Sequence, residues 1–169
     1  MPEIHVCALS RVPEVAARTG ARALVTLINS GTPVTRPASI AADRHLHLHF
    51  NDIAEPQPGL VPPSALHVEA LIAFARDWDR EAPLLVHCFA GVSRSTAAAY
   101  VAACALAPLR DPAEIAAELR RASPTATPNP RVVALADSAL GRKGAMIRAI
   151  HAIGRGEECL EGEPFALRP

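Results

Sequence analysis

Two rhythms of apolar and polar positions divide this chain. Short apolar runs of five to eight residues alternate with longer stretches whose apolar positions recur every three or four residues, the periods of buried strands and amphipathic helices respectively. "IHVCAL" (4–9) reads as a strand. Ser10 is placed to cap a helix over 12–18, which Gly20 ends. "ARALVTLI" (21–28) is a second strand, closed by Asn29-Ser30-Gly31 and followed by a proline-bearing loop. "RHLHLHF" (44–50) alternates strictly, which predicts a strand with two unlike faces, stopped by Asn51-Asp52. After the loop "EPQPGLVPP" (55–63), a helix is predicted over 64–80, with Leu71, Phe74, Ala75 and Trp78 on one stripe. "PLLVHC" (83–88) is the fourth strand. "STAAAYVAACALA" (95–107) is apolar nearly all round, which predicts a buried central helix ended by Pro108. Asp111-Pro112-Ala113-Glu114 reads as a capping box opening a helix to about 122. Asn129-Pro130 caps another through about 140, "GRKG" breaks it, and a last amphipathic helix over 145–153 leads into a polar tail expected to be loosely held.

Strands alternating with helices imply an α/β fold: a central, mainly parallel sheet of about four strands with helices on both faces. No internal repeat interrupts it. The expectation is one domain over 1–169, with its core over about 4–140 and the helix and tail of 145–169 appended. In such sheets ligands bind beyond the carboxyl ends of the strands. Cys88 and Asp52 both fall at such ends.

Composition narrows the picture. Half the residues are apolar but only 4% are aromatic, so Ala, Leu, Val and Ile must build the core. The 17 basic and 17 acidic residues balance, which argues against nucleic-acid or membrane-surface partners recruited by bulk charge. No charged-then-apolar leader and no apolar run near the length of a membrane span is present, which leads to the expectation of a cytoplasmic protein. The four cysteines, Cys7, Cys88, Cys104 and Cys159, are widely spaced with no Cys-x-x-Cys pair, so neither a zinc site nor a disulfide framework is expected.

One loop carries chemistry. Residues 88–94, "CFAGVSR", join a strand to a helix N-terminus. Gly91 permits positive φ in mid-loop. A tight turn of this kind points successive backbone N–H groups inward as a nest for an anion, and the helix beginning near Ser95 adds its positive dipole end. Arg94 supplies a planar fork for two oxygens of a tetrahedral oxyanion, so the expected ligand is a phosphate group. Cys88 lies at the bottom of the nest, where the donors that attract phosphate also favour a thiolate. Ser95 can donate to that sulfur. The Cys-x5-Arg spacing alone is weak: Cys104 also has an arginine, Arg110, six residues on, but "CALAPLR" lacks a glycine and starts inside a buried helix. Strand, His-Cys, central Gly, Ser-Arg-Ser and helix together make the signal.

"HCFAGVSRS" resembles the signature loop of the cysteine-dependent protein tyrosine and dual-specificity phosphatases. The resemblance implies a tyrosine-phosphatase-like fold, with Cys88 as nucleophile and Arg94 as phosphate and transition-state clamp. It makes Phe89, Ala90, Gly91, Val92, Ser93 and Arg94 the cradle through their amides, Ser95 the hydroxyl that aids breakdown of a phosphocysteine, and His87 the brace of the loop. It extends over about Ile4 to Leu140. No cofactor or metal is required. The implied partner is a phosphorylated protein or a small phosphomonoester.

Such chemistry needs an acid for the leaving oxygen. Asp77, Asp79 and Glu81 end the helix that feeds the cysteine strand and fall at the opposite edge of the sheet; Glu69 lies inside that helix, and Asp43 starts the third strand. Asp52 directly follows that strand at the correct edge, 36 positions before Cys88, which suits the family's usual arrangement. Asp52 is the expected acid, with Glu55 as runner-up. The only tyrosine, Tyr100, belongs to the buried helix, so no aromatic wall deepens the pocket for phosphotyrosine alone. Phe89, Ala90 and Val92 stand where similar phosphoinositide phosphatases place lysines, which disfavours an inositol or lipid phosphate. A sulfurtransferase would have no purpose for Asp52, and a phospho-binding module would need only the cradle. His45, His47 and His49 share one strand face; imidazoles in a row diverge with the pleat, so they are read as the half-solvated face of an edge strand. Cys7, on a neighbouring strand, is a candidate for a reversible disulfide with Cys88.

Overall fold

The strand segments pair as their apolar content predicts. The computed structural model, which describes residues 2–169, forms a five-stranded sheet in the order β3-β2-β4-β1-β5. Here β1 is Ile4–Ala8, β2 Ala23–Ile28, β3 His45–His49, β4 Leu84–Cys88 and β5 Phe165–Leu167. The first four are mutually parallel: β3 runs beside β2, β2 beside β4 and β4 beside β1. Between them lie α1 (Val12–Thr19) and α2 (Ala65–Asp77). After β4 come α3 (Arg94–Leu106), α4 (Pro112–Ala122), α5 (Pro130–Ala139) and α6 (Ala145–Ile153). No helix among the described residues is long and apolar enough to cross a membrane.

Period-two alternation sends the strands' side chains to two cores. Ile4, Val6, Val25, Leu84 and Val86 pack on the face that α2 to α6 cover. Cys7, Leu24 and Leu85 pack on the other, against Val12, Val15 and Ala16 of α1. Helices thus cover both faces. The α3 helix is buried from Arg94 to Ala105, as its unbroken apolar sequence requires, and its alanines allow close approach to sheet and neighbouring helices. That burial fixes the helix N-terminus beside the end of β4.

Two expectations are corrected, one on the tail and one on Ser10. The four parallel strands are as expected, and the tail is not loose but adds a fifth. Residues 165–167 pair antiparallel with β1, with Ile4 opposite Leu167 and Val6 opposite Phe165, and Leu167 is buried. Three residues between Pro164 and Arg168 are too few to show a strand period. Ser10 does not cap α1. A 3-10 turn (Leu9–Arg11) precedes that helix, Arg11 occupies its N-cap without a side-chain bond, and the Ser10 hydroxyl donates instead to Glu161 of the tail at 2.5 Å. The β3 strand does lie at a sheet edge, and its histidine rings stack in a column, with centroids 5.3 Å apart for His45–His47 and 4.2 Å for His47–His49.

Candidate active site

Strand β4 ends at Cys88 and α3 begins at Arg94, so residues 89–93 must turn the chain within five positions. Gly91 makes the turn possible, at φ +71°, where a Cβ would also lie 2.7 Å from the Ala8 nitrogen. The Cys88 side chain is buried at the floor, with Sγ 3.1 Å from Ser95 Oγ and 3.3 Å from the Gly91 nitrogen, whose N–H points at it. Ser95 is in the first turn of α3, so the helix N-terminus faces the same sulfur.

Arg94 is 6% exposed. Its Nη1 donates to Asn29 Oδ1 at 2.6 Å and to the Phe50 carbonyl at 2.8 Å. Those bonds come from the carboxyl ends of β2 and β3 and fix the plane of the guanidinium. Its Nε–H is buried with no hydrogen-bond partner among the described residues. An orphaned buried donor is costly, about 1–3 kcal/mol. On an otherwise anchored guanidinium, that N–H is a donor open to an oxyanion or a water. Arg94 and Asn29 line a cavity of about 300 Å³ with Ile28, Thr32 and Phe89; the Phe89 ring, 63% exposed, forms its rim.

His87 is fully buried on the opposite face of β4. Its Nδ1 lies 3.1 Å from the Cys88 carbonyl, which can only accept, so Nδ1 carries the proton. Nε2 of the neutral ring then accepts from the Thr26 hydroxyl at 2.7 Å, and Thr26 in turn accepts from His45 Nε2 at 2.8 Å. Burial pushes His87 down to about 4, with His45, His47 and Arg94 adding to the effect and the Cys88 carbonyl opposing it; burial likewise pushes His45 down to about 4. The brace under Cys88 is an uncharged imidazole at neutral pH.

Asp52 stands just past β3, at the same edge of the sheet as Cys88. Its Oδ1 accepts from Ser93 Oγ at 2.7 Å and from Asn129 Nδ2 at 2.8 Å. Glu55, further along the same loop, is exposed. Asp79, by contrast, pairs with Arg44 at 3.5 Å at the amino ends of the strands. A depression of about 850 Å³ is there too, lined by Arg44, Trp78 and Glu81, far from Cys88. In such sheets ligands bind at the carboxyl ends of the strands, the opposite edge.

Two side chains contact these residues in ways the sequence did not specify. Asn129 caps α5 through Oδ1, as its Asn-Pro context suggested, but its Nδ2 also reaches Asp52 and the Ile53 carbonyl, and its backbone N–H donates to the Ser93 carbonyl. Asn29 ended a strand in the sequence and holds Arg94 in the structure. The only signal was a polar amide at a strand or helix terminus. The Cys7–Cys88 pairing is disfavoured by register: Cys7 lies opposite His87 and its side chain packs on the α1 face, whereas Cys88 packs on the other. Burial, and secondarily the proximity of Cys88, pushes the Cys7 thiol up to about 12.

A cysteine beneath a strand-to-helix anion loop, with an arginine at the loop's far lip, defines a class of cysteine-based phosphatases. The sequence profile of the Protein-tyrosine phosphatase family matches residues 35–127, and the chain belongs to that family. No curated protein sequence matches it. Its fold is similar to that of human DUSP28 (20% identity over 84% of this chain and 94% of that one, TM-score 0.63). It is likewise similar to the PTP-2 phosphatase of Cydia pomonella (21%, 80% and 84%, TM-score 0.64) and to a putative dual specificity phosphatase from mouse (22%, 82% and 80%, TM-score 0.58).

Proposed function

We propose that this phosphatase hydrolyses phosphotyrosine in proteins, and phosphoserine or phosphothreonine as well, through a phosphocysteine intermediate on Cys88. The observation that carries this reading is one strand-to-helix loop that ends in an anchored Arg94 with a free Nε–H and holds a sulfur in contact with Gly91 N–H and Ser95 Oγ. A tetrahedral dianion would give that donor its partner.

The Cys88 thiolate attacks phosphorus in line, forming the S–P bond as the P–O bond to the leaving group breaks. Asp52 delivers its proton to the departing oxygen. Arg94 and the loop amides hold the three equatorial oxygens, and because these donors are fixed beforehand they need no reorganisation as charge develops. Asp52, now a carboxylate, takes a proton from the water that attacks the phosphocysteine, and Ser95 Oγ donates to the departing sulfur. His87 acts as a neutral brace on the Cys88 carbonyl. Ser93 and Asn129 hold Asp52 beside the loop.

The substrate class rests on the rim. Phe89 is the one aromatic residue among those lining the Arg94 cavity, and Tyr100 is buried with its hydroxyl on the Pro112 carbonyl. That arrangement supports acceptance of both aryl and alkyl phosphates. An inositol or lipid phosphate is disfavoured because Phe89, Ala90 and Val92 bring no cation to the loop.

Turnover of an aryl phosphate by the wild type, Cys88→Ser and Asp52→Asn tests the mechanism. Cys88→Ser should show no turnover. Asp52→Asn should lose about 100-fold and the alkaline limb of its pH profile, within the range that general acids contribute. Sulfur transfer from thiosulfate in place of phosphate hydrolysis, or full activity in Cys88→Ser, would defeat the reading.

A further inference from the structure

An inward-facing amide requires an outward-facing carbonyl. In a trans peptide the C=O and N–H of one unit point in opposite directions, so whatever grips the carbonyl from outside also aims the N–H within. The cysteine loop is gripped this way at four of its carbonyls. Leu9 N–H holds the Phe89 carbonyl at 3.1 Å, Thr127 N–H the Val92 carbonyl at 2.9 Å, and Asn129 N–H the Ser93 carbonyl at 3.2 Å. These donors sit at the end of β1 and just before α5. The remaining grip comes from the tail. Gly162 N–H donates to the Ala90 carbonyl at 2.8 Å, and the N–H of that same peptide unit, on Gly91, points at Cys88 Sγ at 3.3 Å.

The tail fits this task in detail. Gly162 is buried, and a Cβ there would lie 2.8 Å from the Gly91 carbonyl oxygen and 3.5 Å from Val92 Cγ2. Gly91 has equally little room on its other side, against Ala8. Two glycines thus let the loop's backbone lie between the end of β1 and the tail. The tail is anchored on either side of Gly162. Gly156 N–H donates to Thr127 Oγ1 at 3.1 Å, Glu157 N–H to the Pro124 carbonyl at 3.0 Å, and β5 pairs with β1. The family profile ends at residue 127, before any of these tail residues.

We propose that Gly162 is a positioning residue of the catalytic loop, its N–H setting the Ala90–Gly91 peptide so that the Gly91 N–H faces the Cys88 sulfur and the oxyanion above it. This rests on the phosphatase reading. The loop amide matters most when charge builds on the equatorial oxygens, so the tail contributes to turnover more than to substrate capture.

Cys159 offers a clean test. A thioester of residues 1–158 is ligated to a synthetic peptide of residues 159–169, and the product is refolded. One peptide carries the natural Gly162; the other carries glycolate there, so that an ester replaces the amide and only the N–H is lost. We expect the ester protein to lose about fivefold in kcat on an aryl phosphate and the same factor in vanadate affinity, the scale of one hydrogen bond. KM should stay within twofold and the melting temperature within a few degrees. Gly162→Ala, expressed conventionally, should lose at least as much by the same split. The proposal is overturned if either protein keeps kcat and vanadate affinity within twofold of the control. It is equally overturned if kcat falls while vanadate affinity holds, since that marks loss of folded protein. If the all-amide protein itself fails to turn over, the phosphatase reading is what fails, and the role of Gly162 with it.

Discussion

The chain contains the same spacing twice, and only one copy makes a site. Cys88 and Arg94 are separated by a loop; Cys104 and Arg110 are separated by the end of a helix and a turn. Around Cys88 the backbone turns the Gly91 N–H toward the sulfur, and the Arg94 Nε–H has no protein partner among the described residues. Around Cys104 every nearby amide is committed to α3 or its end, the thiol packs against Tyr100, and Arg110 is engaged by Glu118 at 2.6 Å. Burial pushes the Cys104 thiol up to about 11, although Tyr100 and Arg142 oppose it. On the proposed reading, a sulfur becomes a nucleophile through the direction of its surrounding dipoles; the distance in sequence to an arginine does not decide it.

The sharpest way to break this contrast is alkylation. At pH 7 a thiol held near 11 has a thiolate fraction of only ~10⁻⁴, and the thiolate is the reactive form. Iodoacetamide followed by mass spectrometry should label Cys88 and the exposed Cys159 while sparing Cys104 and Cys7, and vanadate should protect Cys88 alone. Labelling of Cys104 as fast as of Cys88 would erase the distinction. The arginines give the next largest effect. Arg94→Lys replaces an anchored fork by a single ammonium and should lower kcat/KM by roughly 10²–10³-fold, the cost of losing a transition-state donor. Arg110→Lys, on a surface pair, should stay within twofold.

Much of this was legible in the sequence because the site is built from local chain. Strand β4, the Gly91 turn and the start of α3 are contiguous, and their periods change where the loop begins. Topology placed Asp52 at the loop's edge of the sheet, since a parallel sheet puts the ends of β3 and β4 at one edge, and it stands there bonded to Ser93. The tail was not legible. Its contribution is one backbone N–H and the absence of a side chain at Gly162, and backbone direction leaves no composition signal. The half-buried histidine ladder was read correctly as an edge-strand face, but the bond from His45 through Thr26 to His87 joins three strands and could only be seen once they were paired.

Asn129 probes a smaller difference, between holding a helix and holding an acid. As the cap of α5 it should be worth about 1 kcal/mol of stability. Because its Nδ2 also reaches Asp52, Asn129→Ala should cost about tenfold in kcat on top of that, whereas Asp111→Ala, which removes the cap of α4, should destabilise comparably with kcat unchanged. Equal kinetics in the two variants would reduce Asn129 to a cap.

The smallest expected effect separates the two faces of β4, the sulfur on one and the imidazole on the other. His87 is held neutral in the folded protein down to about 4, mainly by burial, whereas an unfolded histidine takes up its proton near 6.5. Between those values the unfolded chain binds more protons than the native one, so stability rises with pH across this window. The contribution is complete above the unfolded value and is lost progressively as pH falls toward 4. His45, lowered in the same direction but only half-buried, adds less to the slope. The melting temperature should therefore drop by several degrees between pH 7 and pH 5, about 4–8 °C for each kcal/mol in a small domain and less in a larger one. His87→Asn can still donate toward the Cys88 carbonyl but cannot titrate, and it should flatten that slope while leaving Cys88 reactive to iodoacetamide. A slope unchanged by the substitution would mean that other groups govern the acid response, and that the imidazole beneath the sulfur is less secluded than its bonds to Thr26 and the Cys88 carbonyl imply.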